Sequence, residues 1–516
     1  MKSKIIKQLS KAIIFVPLLL YFGPRSYIAY DEGFYALQAK WMIKTNNWII
    51  PVWWDEYILD RTNGIQFLIA KSQKIFGESA FAAHLPSTIA AGLMLFITYR
   101  LHQELISKRN ALFSTLILAT TYIWLDFAHL ATQDIMFACL TTSSIYSLTK
   151  LSQEKNPFYL FIFGAWIGLA FMLKTFLVAI PLLALGPYLL YEIRKINNNF
   201  FWLGLFIGFI PFIVWSFSIN QYIDKSIIFF LIEKFNNLSK NNTFTNPFFY
   251  YLWNIPVNFL PWSIFAIVGI IYQLKSYKKI SYFLVYFPII FVLILSLFST
   301  KTPYYVLPIS SIISINAFLG LQKLLKIQKF KVLLFYLSTK IIPSSIIFTI
   351  CFYFFKSKKS LSLNFQEEIL LLTGLILLAI MIVSTKKAKE SKSIIIALLI
   401  SPYLIGTCIV QSGLLSDRSQ YLRETIEYIV VKENLKNTPI NVIKYDSSVK
   451  NSTSNLIKIS LLTPNLGTMI KDLNELKKSE FAWIILPTYS NMDQEIYEIV
   501  GESESLNPWR LIKKKI

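Results

Sequence analysis

Apolar runs of roughly membrane-span length recur from near residue 12 to near residue 412, and no single water-soluble core can bury so many of them. They lie near 12–28, 78–100, 111–127, 135–150, 157–173, 175–192, 200–220, 252–273, 281–299, 303–322, 332–355, 367–384 and 393–412. Most approach the ~20 residues that cross the hydrocarbon core, which predicts about thirteen transmembrane helices. A chain that is 54% hydrophobic and 16% aromatic fits that class, an all-α polytopic membrane protein.

The net charge of +22 does not point to nucleic acid, because Lys and Arg fall mainly in the short gaps between apolar runs. These gaps hold Lys2, Lys4, Lys7 and Lys11, then Arg100, Lys108 and Arg109, then Arg194 and Lys195, then Lys275, Lys278 and Lys279. Two more lie at 323–331 and 386–392. They alternate with weakly charged gaps such as "HLATQD", so the basic side, with the N-terminus, is expected in the cytoplasm and residues 29–77 outside. The first run is expected to be retained as a span, since "YFGPRSYIAYDE" offers no small-residue cleavage site. Cys139, Cys351 and Cys408 all sit in apolar runs, which argues against a disulfide framework or a thiolate metal site.

The outer gaps carry the chemistry. "AYDEGFYALQAKWM" sets two adjacent carboxylates, Asp31 and Glu32, at the exit of the first run. "DEGFYALQAKWMIKTNNWII" and "GIQFLIAKSQKIFG" have helical periodicity and apolar faces suited to the membrane interface. Taken alone, the acid pair reads equally well as the start of such a helix. Past the last run, "INVIKY" and "FAWIILP" read as strands and "LGTMIKDLNELKKS" as a helix. The expected organisation is a transmembrane domain over 1–414 and a small extracytoplasmic α/β domain over 415–516.

"YDEGFYALQAKWMIKTNNWIIP", "KIFGESAFAAHLPS", "LATQDIMFACLT", "GLAFMLKTFLVAIPLL", "NPFFYYLWNIPVNFLPW" and "STKTPYYVLPI" follow one another over roughly residues 1–325. In this order they resemble the landmarks of the aminoarabinose-transferase and protein-mannosyltransferase superfamily, membrane glycosyltransferases of the GT-C fold that use polyprenyl-phosphate sugars. The aminoarabinose-transferase branch, whose acceptor is lipid A, looks closest.

The resemblance places the catalytic carboxylate on Asp31, with Glu32 beside it. A sugar leaving a lipid phosphate gathers positive charge at its anomeric carbon and negative charge on the phosphate, so carboxylates and cations belong on opposite sides. Asp31 then acts as general base on a hydroxyl acceptor, or stabilises charge if the acceptor is itself a phosphate. The family places cations at Lys174 and Lys301, which are expected to meet the donor phosphate with Tyr304 and Tyr305 as hydroxyl donors. Each lysine also suits plain snorkelling at a span end. Asp134 either caps its helix or pairs with Lys174.

Departures from the family pattern are specific. In "YILDRTNG", Asp60 and Arg61 keep the family's charge order, but Thr62 and Asn63 replace two prolines. Phe34 stands where an arginine is common, while Tyr35 is retained as a supporting residue. Lys234 takes the approximate place of a histidine proposed to bind metal, and His84, His102 and His129 all lie outside that outer loop. No structural zinc is expected, and a carboxylate-bound divalent cation at Asp31 stays open. The reading is an inverting glycosyltransferase of the cell membrane and cell envelope, moving one sugar from a polyprenyl-phosphate donor to a lipid or glycan acceptor. The alternatives are a protein O-mannosyltransferase acting on Ser or Thr, and a polytopic transporter, against which stands the placement of the charges at outer span ends.

Overall fold

A computed structural model describes residues 12–515 apart from 55, 60, 193–197, 241–244, 276–278, 358–367, 369, 378–389, 486–492 and 494. Asp60, the N-terminal lysines, Arg194, Lys195, Lys278 and much of the 367–384 run lie outside the described residues.

The chain leaves a short helix at Val16–Leu19 and enters a π-turn, Ala29–Gly33, that runs directly into α1 (Phe34–Thr45). A two-residue ribbon pairs Val52–Trp53 with Glu56–Tyr57, and α2 (Gly64–Phe76) follows. The bundle helices that frame the site are α3 (Ala80–Leu105), α4 (Asp134–Glu154), α5 (Phe158–Lys174), α6 (Asn199–Ile219) and α7 (Ser310–Leu324).

Among the described residues six helices are long and apolar enough to cross a membrane, and eight if each of two bent pairs counts as one span. The thirteen expected runs include 367–384, much of which lies outside the described residues, and several of the others take shapes that hydropathy does not show. The runs at 157–173 and 175–192 form one 34-residue segment, Phe158–Tyr191, interrupted by a 3₁₀ turn after Lys174 and a turn at Leu185. The run at 111–127 bends by 69° between Ala119 and Tyr122, and that at 252–273 by 113° between Asn258 and Ser263. Pro261, which has no amide proton to continue a helix, lies in the second break. Helix α4 has 21 residues but carries many hydroxyls, which it satisfies internally: Thr141 donates to the Phe137 carbonyl and Thr142 to that of Ala138, both at 2.9 Å. Thr98 and Thr142 then meet Ser311 at 2.8 and 3.0 Å, bonding α3 and α4 to α7 in the bundle core.

Residues 420–514 build a mixed sheet with two helices, α8 (Gln420–Lys432) and α9 (Ser452–Leu462). Strands β1 (Ile440–Ile443), β2 (Leu466–Ile470), β3 (Phe481–Ile485), β4 (Tyr497–Gly501) and β5 (Trp509–Lys514) lie in the order β2-β1-β3-β5-β4. Strands β2 and β3 flank β1 in parallel, and β5 runs antiparallel to β3 and β4. The helix expected over "LGTMIKDLNELKKS" is therefore corrected. Its first residues form β2, with the Thr468 amide donating to Asn441 Oδ1 at 3.0 Å, and Asp472 caps a single 3₁₀ turn at Leu473–Glu475.

The C-terminal unit does not pack only on itself. Leu37 and Trp41 of α1, with Trp54 of the ribbon, share one buried core with Leu422, Ile426, Leu456, Ile459, Trp483 and Trp509. The loop that carries α1 and the ribbon is thus joined to the C-terminal sheet by apolar burial, the dominant favourable term in packing.

Candidate active site

The two adjacent carboxylates point to different surroundings. Glu32 is 1% exposed and accepts hydrogen bonds from the amides of Ile28 at 3.0 Å and Ala131 at 2.9 Å. Its Oε1 also meets His84 Nε2 at 2.5 Å. Burial works to raise this carboxyl, but His84 and the two amides outweigh it, and the pKa lies below the usual glutamate value. Glu32, grouped with Asp31 as a catalytic candidate, is thus committed to holding the π-turn onto α3 and the segment before α4. His84 stacks on Tyr27 at 5.7 Å and bonds the Ala80 carbonyl through Nδ1.

Asp31 is exposed. It keeps contact with solvent, yet partial burial, and then Asp134, push its carboxyl above the ordinary aspartate range, while Lys174 and Arg61 pull the other way. Those neighbours form one cluster. Lys174 Nζ lies 2.6 Å from Asp134 Oδ1, tying the C-terminus of α5 to the N-terminus of α4. The same ammonium stands 5.4 and 5.7 Å from the ring centroids of Tyr304 and Tyr305. Asp134, Lys174 and both tyrosines line a small cavity of about 30 Å³. Asp134 is therefore paired, and its alternative as a bare helix cap is set aside, because no side-chain cap bond closes α4.

Arg61 returns from the far side of the loop, its guanidinium 5.4 Å from the rings of both Phe34 and Tyr35. The arginine missing at position 34 is thus answered by a cation over Phe34. Tyr35 is buried and its hydroxyl accepts from Gln133 Nε2 at 3.1 Å, beside Asp134. Where the prolines are absent, the Asn63 side-chain amide shapes the loop instead, donating to the Trp48 and Ile49 carbonyls at 3.2 and 3.0 Å.

Lys301 is held by a different set of bonds. Its ammonium donates to the carbonyls of Asn246 at 3.0 Å and Phe298 at 2.5 Å, closing the loop before Pro303. Among the described residues no three His, Cys, Asp or Glu side chains are placed to share a metal ion.

Beneath the loop an apolar cavity of about 810 Å³ opens among α2 to α6, bordered by Trp48, Phe67, Leu93, Met136, Met172 and Trp215. It reaches Leu173, next to Lys174, and Asn63, two residues from Arg61. Sequence reasoning considered His84 only as a metal ligand and overlooked Gln133; the signal for His84 was its position at the start of a span, within "KIFGESAFAAHLPS".

Residues 60–217 match the family model of dolichyl-phosphate-mannose-protein mannosyltransferase. An uncharacterised protein of Aquifex aeolicus is 26% identical over 356 residues, covering 66% of this chain and 70% of that protein. An undecaprenyl phosphate-α-4-amino-4-deoxy-L-arabinose arabinosyl transferase of Photorhabdus laumondii is 25% identical over 293 residues, 54% of this chain. The match spans 52% of that relative's length. The crystal structure of ArnT from Cupriavidus metallidurans bound to undecaprenyl phosphate superposes with a TM-score of 0.74 over 99% of this chain and 98% of that one, at 14% identity. The family model, the sequence relatives and the full-length fold agree: the chain is similar to the aminoarabinose-transferase-like GT-C membrane glycosyltransferases.

Proposed function

We propose that the chain transfers one sugar from a polyprenyl-phosphate donor to a lipid or glycan acceptor on the extracytoplasmic face of the cell membrane, with inversion at the anomeric carbon. One observation carries this reading: Asp31 opens toward a Lys174–Asp134 pair flanked by Arg61, Tyr304 and Tyr305, with an apolar cavity beginning beside it. The cavity takes the polyprenyl chain, and Lys174 and Arg61 take the phosphate.

In the transfer, the bond from the anomeric carbon to the phosphate oxygen breaks and its electron pair leaves with the polyprenyl phosphate. The acceptor oxygen bonds to the opposite face of that carbon. A hydroxyl acceptor gives its proton to Asp31, whose raised pKa suits it to receive one. A phosphate acceptor has no proton to lose, and the carboxylate then stabilises the positive charge gathering on the sugar. Lys174 and Arg61 stabilise the departing phosphate, the cations standing where negative charge develops.

The orientation, with the N-terminus in the cytoplasm and the C-terminal unit outside, rests on the alternation of basic gaps. The experiment is extraction of polyprenyl-phosphate sugars from cells lacking the protein. Accumulation of one such sugar, reversed by the intact gene, supports the reading and names the donor. An unchanged pool together with no transfer by the purified chain overturns it.

A further inference from the structure

The π-turn that carries Asp31 is gripped from two sides. On the bundle side Glu32 bonds His84 and the Ala131 amide. On the other side α9 of the C-terminal unit lies directly against the turn. A Cβ added to Gly33 would stand 2.9 Å from Ile457 Cγ2 and 2.4 Å from the Ile28 carbonyl oxygen, so only glycine permits this approach.

Two lysines of α1, one turn apart, complete the grip. The half-buried Lys40 donates to the carbonyls of Ser460 at 3.2 Å and Thr463 at 2.8 Å, at the C-terminal end of α9. Lys44 donates to the carbonyls of Leu466 and Gly467, the latter at 2.9 Å, at the start of β2. Cations at a helix C-terminus are favoured by its dipole and satisfy carbonyls left without partners. Leu37 and Trp41, on the same helix, bury themselves in the core of the C-terminal unit.

We propose that Lys40 and Lys44 are positioning residues for the glycosyl transfer read above: they clamp α9 of the C-terminal unit against the π-turn and so hold Asp31 at the anomeric carbon. The C-terminal unit is then a working part of the active site. Neither lysine touches substrate, so losing them lowers turnover while the Lys174 and Arg61 phosphate site stays intact. A reacting group displaced by about 1 Å costs on the order of a hundredfold in rate.

The test compares the full chain in lipid nanodiscs with its Lys40→Met/Lys44→Met, Lys40→Arg and Ile457→Ala variants. Amide exchange reads the turn directly, because the Gly33 amide bonds the Ile28 carbonyl and the Ile28 amide bonds Glu32. The double variant and Ile457→Ala are expected to exchange these amides at least about tenfold faster, with α3 protection unchanged. Binding of undecaprenyl phosphate is expected to stay within about twofold, while kcat falls about tenfold or more without a matching rise in donor KM. Lys40→Arg, which keeps the charge, is expected to restore both exchange and kcat. Unchanged exchange at Ile28 and Gly33, or loss of undecaprenyl phosphate binding in step with kcat, overturns the clamp. A wild-type chain without transfer activity defeats the glycosyl-transfer reading instead, and the exchange data still decide whether the clamp holds.

Discussion

Lys174 Nζ and Asp134 Oδ1 meet at 2.6 Å, with about a tenth of each side chain exposed. A buried pair of this kind costs most when only one partner is removed, because the other charge stays behind uncompensated. Lys174→Met is therefore expected to destabilise the protein by about 3 kcal/mol or more, and adding Asp134→Asn to recover much of that loss. Both variants should lose donor affinity by about tenfold, since the cation is absent from each. Thermal unfolding and undecaprenyl phosphate binding, measured on the single and double variants, separate the two roles. Full recovery of binding in the double variant would remove Lys174 from the phosphate site.

Lys301 makes the opposite prediction. Its ammonium already spends two donors on the Asn246 and Phe298 carbonyls. Lys301→Met removes both charge-assisted hydrogen bonds, at about 1.5–3 kcal/mol for each. The expected result is a lower unfolding temperature with a smaller change in donor affinity than Lys174→Met produces. A variant that keeps its unfolding temperature yet loses donor binding would return Lys301 to the phosphate.

Glu32 carries a pH signature. Its folded-state pKa lies below the ordinary 4.5, so its contribution to stability is complete above that value and is lost as pH falls through the lowered pKa. Glu32→Gln removes the charge and keeps one acceptor, so it is expected to cost about 1–3 kcal/mol near neutrality. It should also flatten the loss of stability below pH 4.5. Unfolding temperatures of the two proteins across the acid range check this; parallel curves would show that Glu32 does not supply the acid-sensitive bond.

Much of the site was legible because its charged residues stand at the edges of apolar runs, where charge is expensive enough to need a purpose. Asp31, Asp134, Lys174, Tyr304 and Tyr305 could be gathered that way, and the structure brings them together. What stayed hidden depends on pairing between distant segments. Nothing local in Lys40 reveals that its partners are the carbonyls of Ser460 and Thr463, and nothing in "LGTMI" reveals that β1 will pair with it. The bends stayed hidden for a related reason: hydropathy reports how apolar a run is and not where it turns, and the chain changes direction at 119–122 and 258–263 inside apolar sequence. Glu32 and Asp31 are neighbours in the chain, and only the tertiary position of His84 tells them apart.

Asp31→Asn tests the centre of the mechanism. Asn preserves size and most hydrogen bonding, and the turn is held by Glu32 and Gly33, so folding is expected to be normal. Transfer should fall by about 10²- to 10³-fold, the range for a lost general base or electrostatic stabiliser. Donor binding should move the other way. The carboxylate stands within electrostatic reach of Lys174 and Arg61, so removing it leaves those cations a more attractive site for a phosphate. Undecaprenyl phosphate should therefore bind the variant at least as tightly as the wild type. The working form of Asp31 is the ionised one, and its pKa is raised above 3.8, so wild-type transfer should fail on the acid side at a pH higher than that value. Asp134→Asn takes away a neighbouring negative charge that raises this pKa, which shifts the acid limb to lower pH. Transfer rates from a purified polyprenyl-phosphate sugar, followed against pH for the wild type, Asp31→Asn and Asp134→Asn, carry the decision. Near-wild-type transfer by Asp31→Asn, or an acid limb that ignores the charge at position 134, would place the catalytic carboxylate elsewhere.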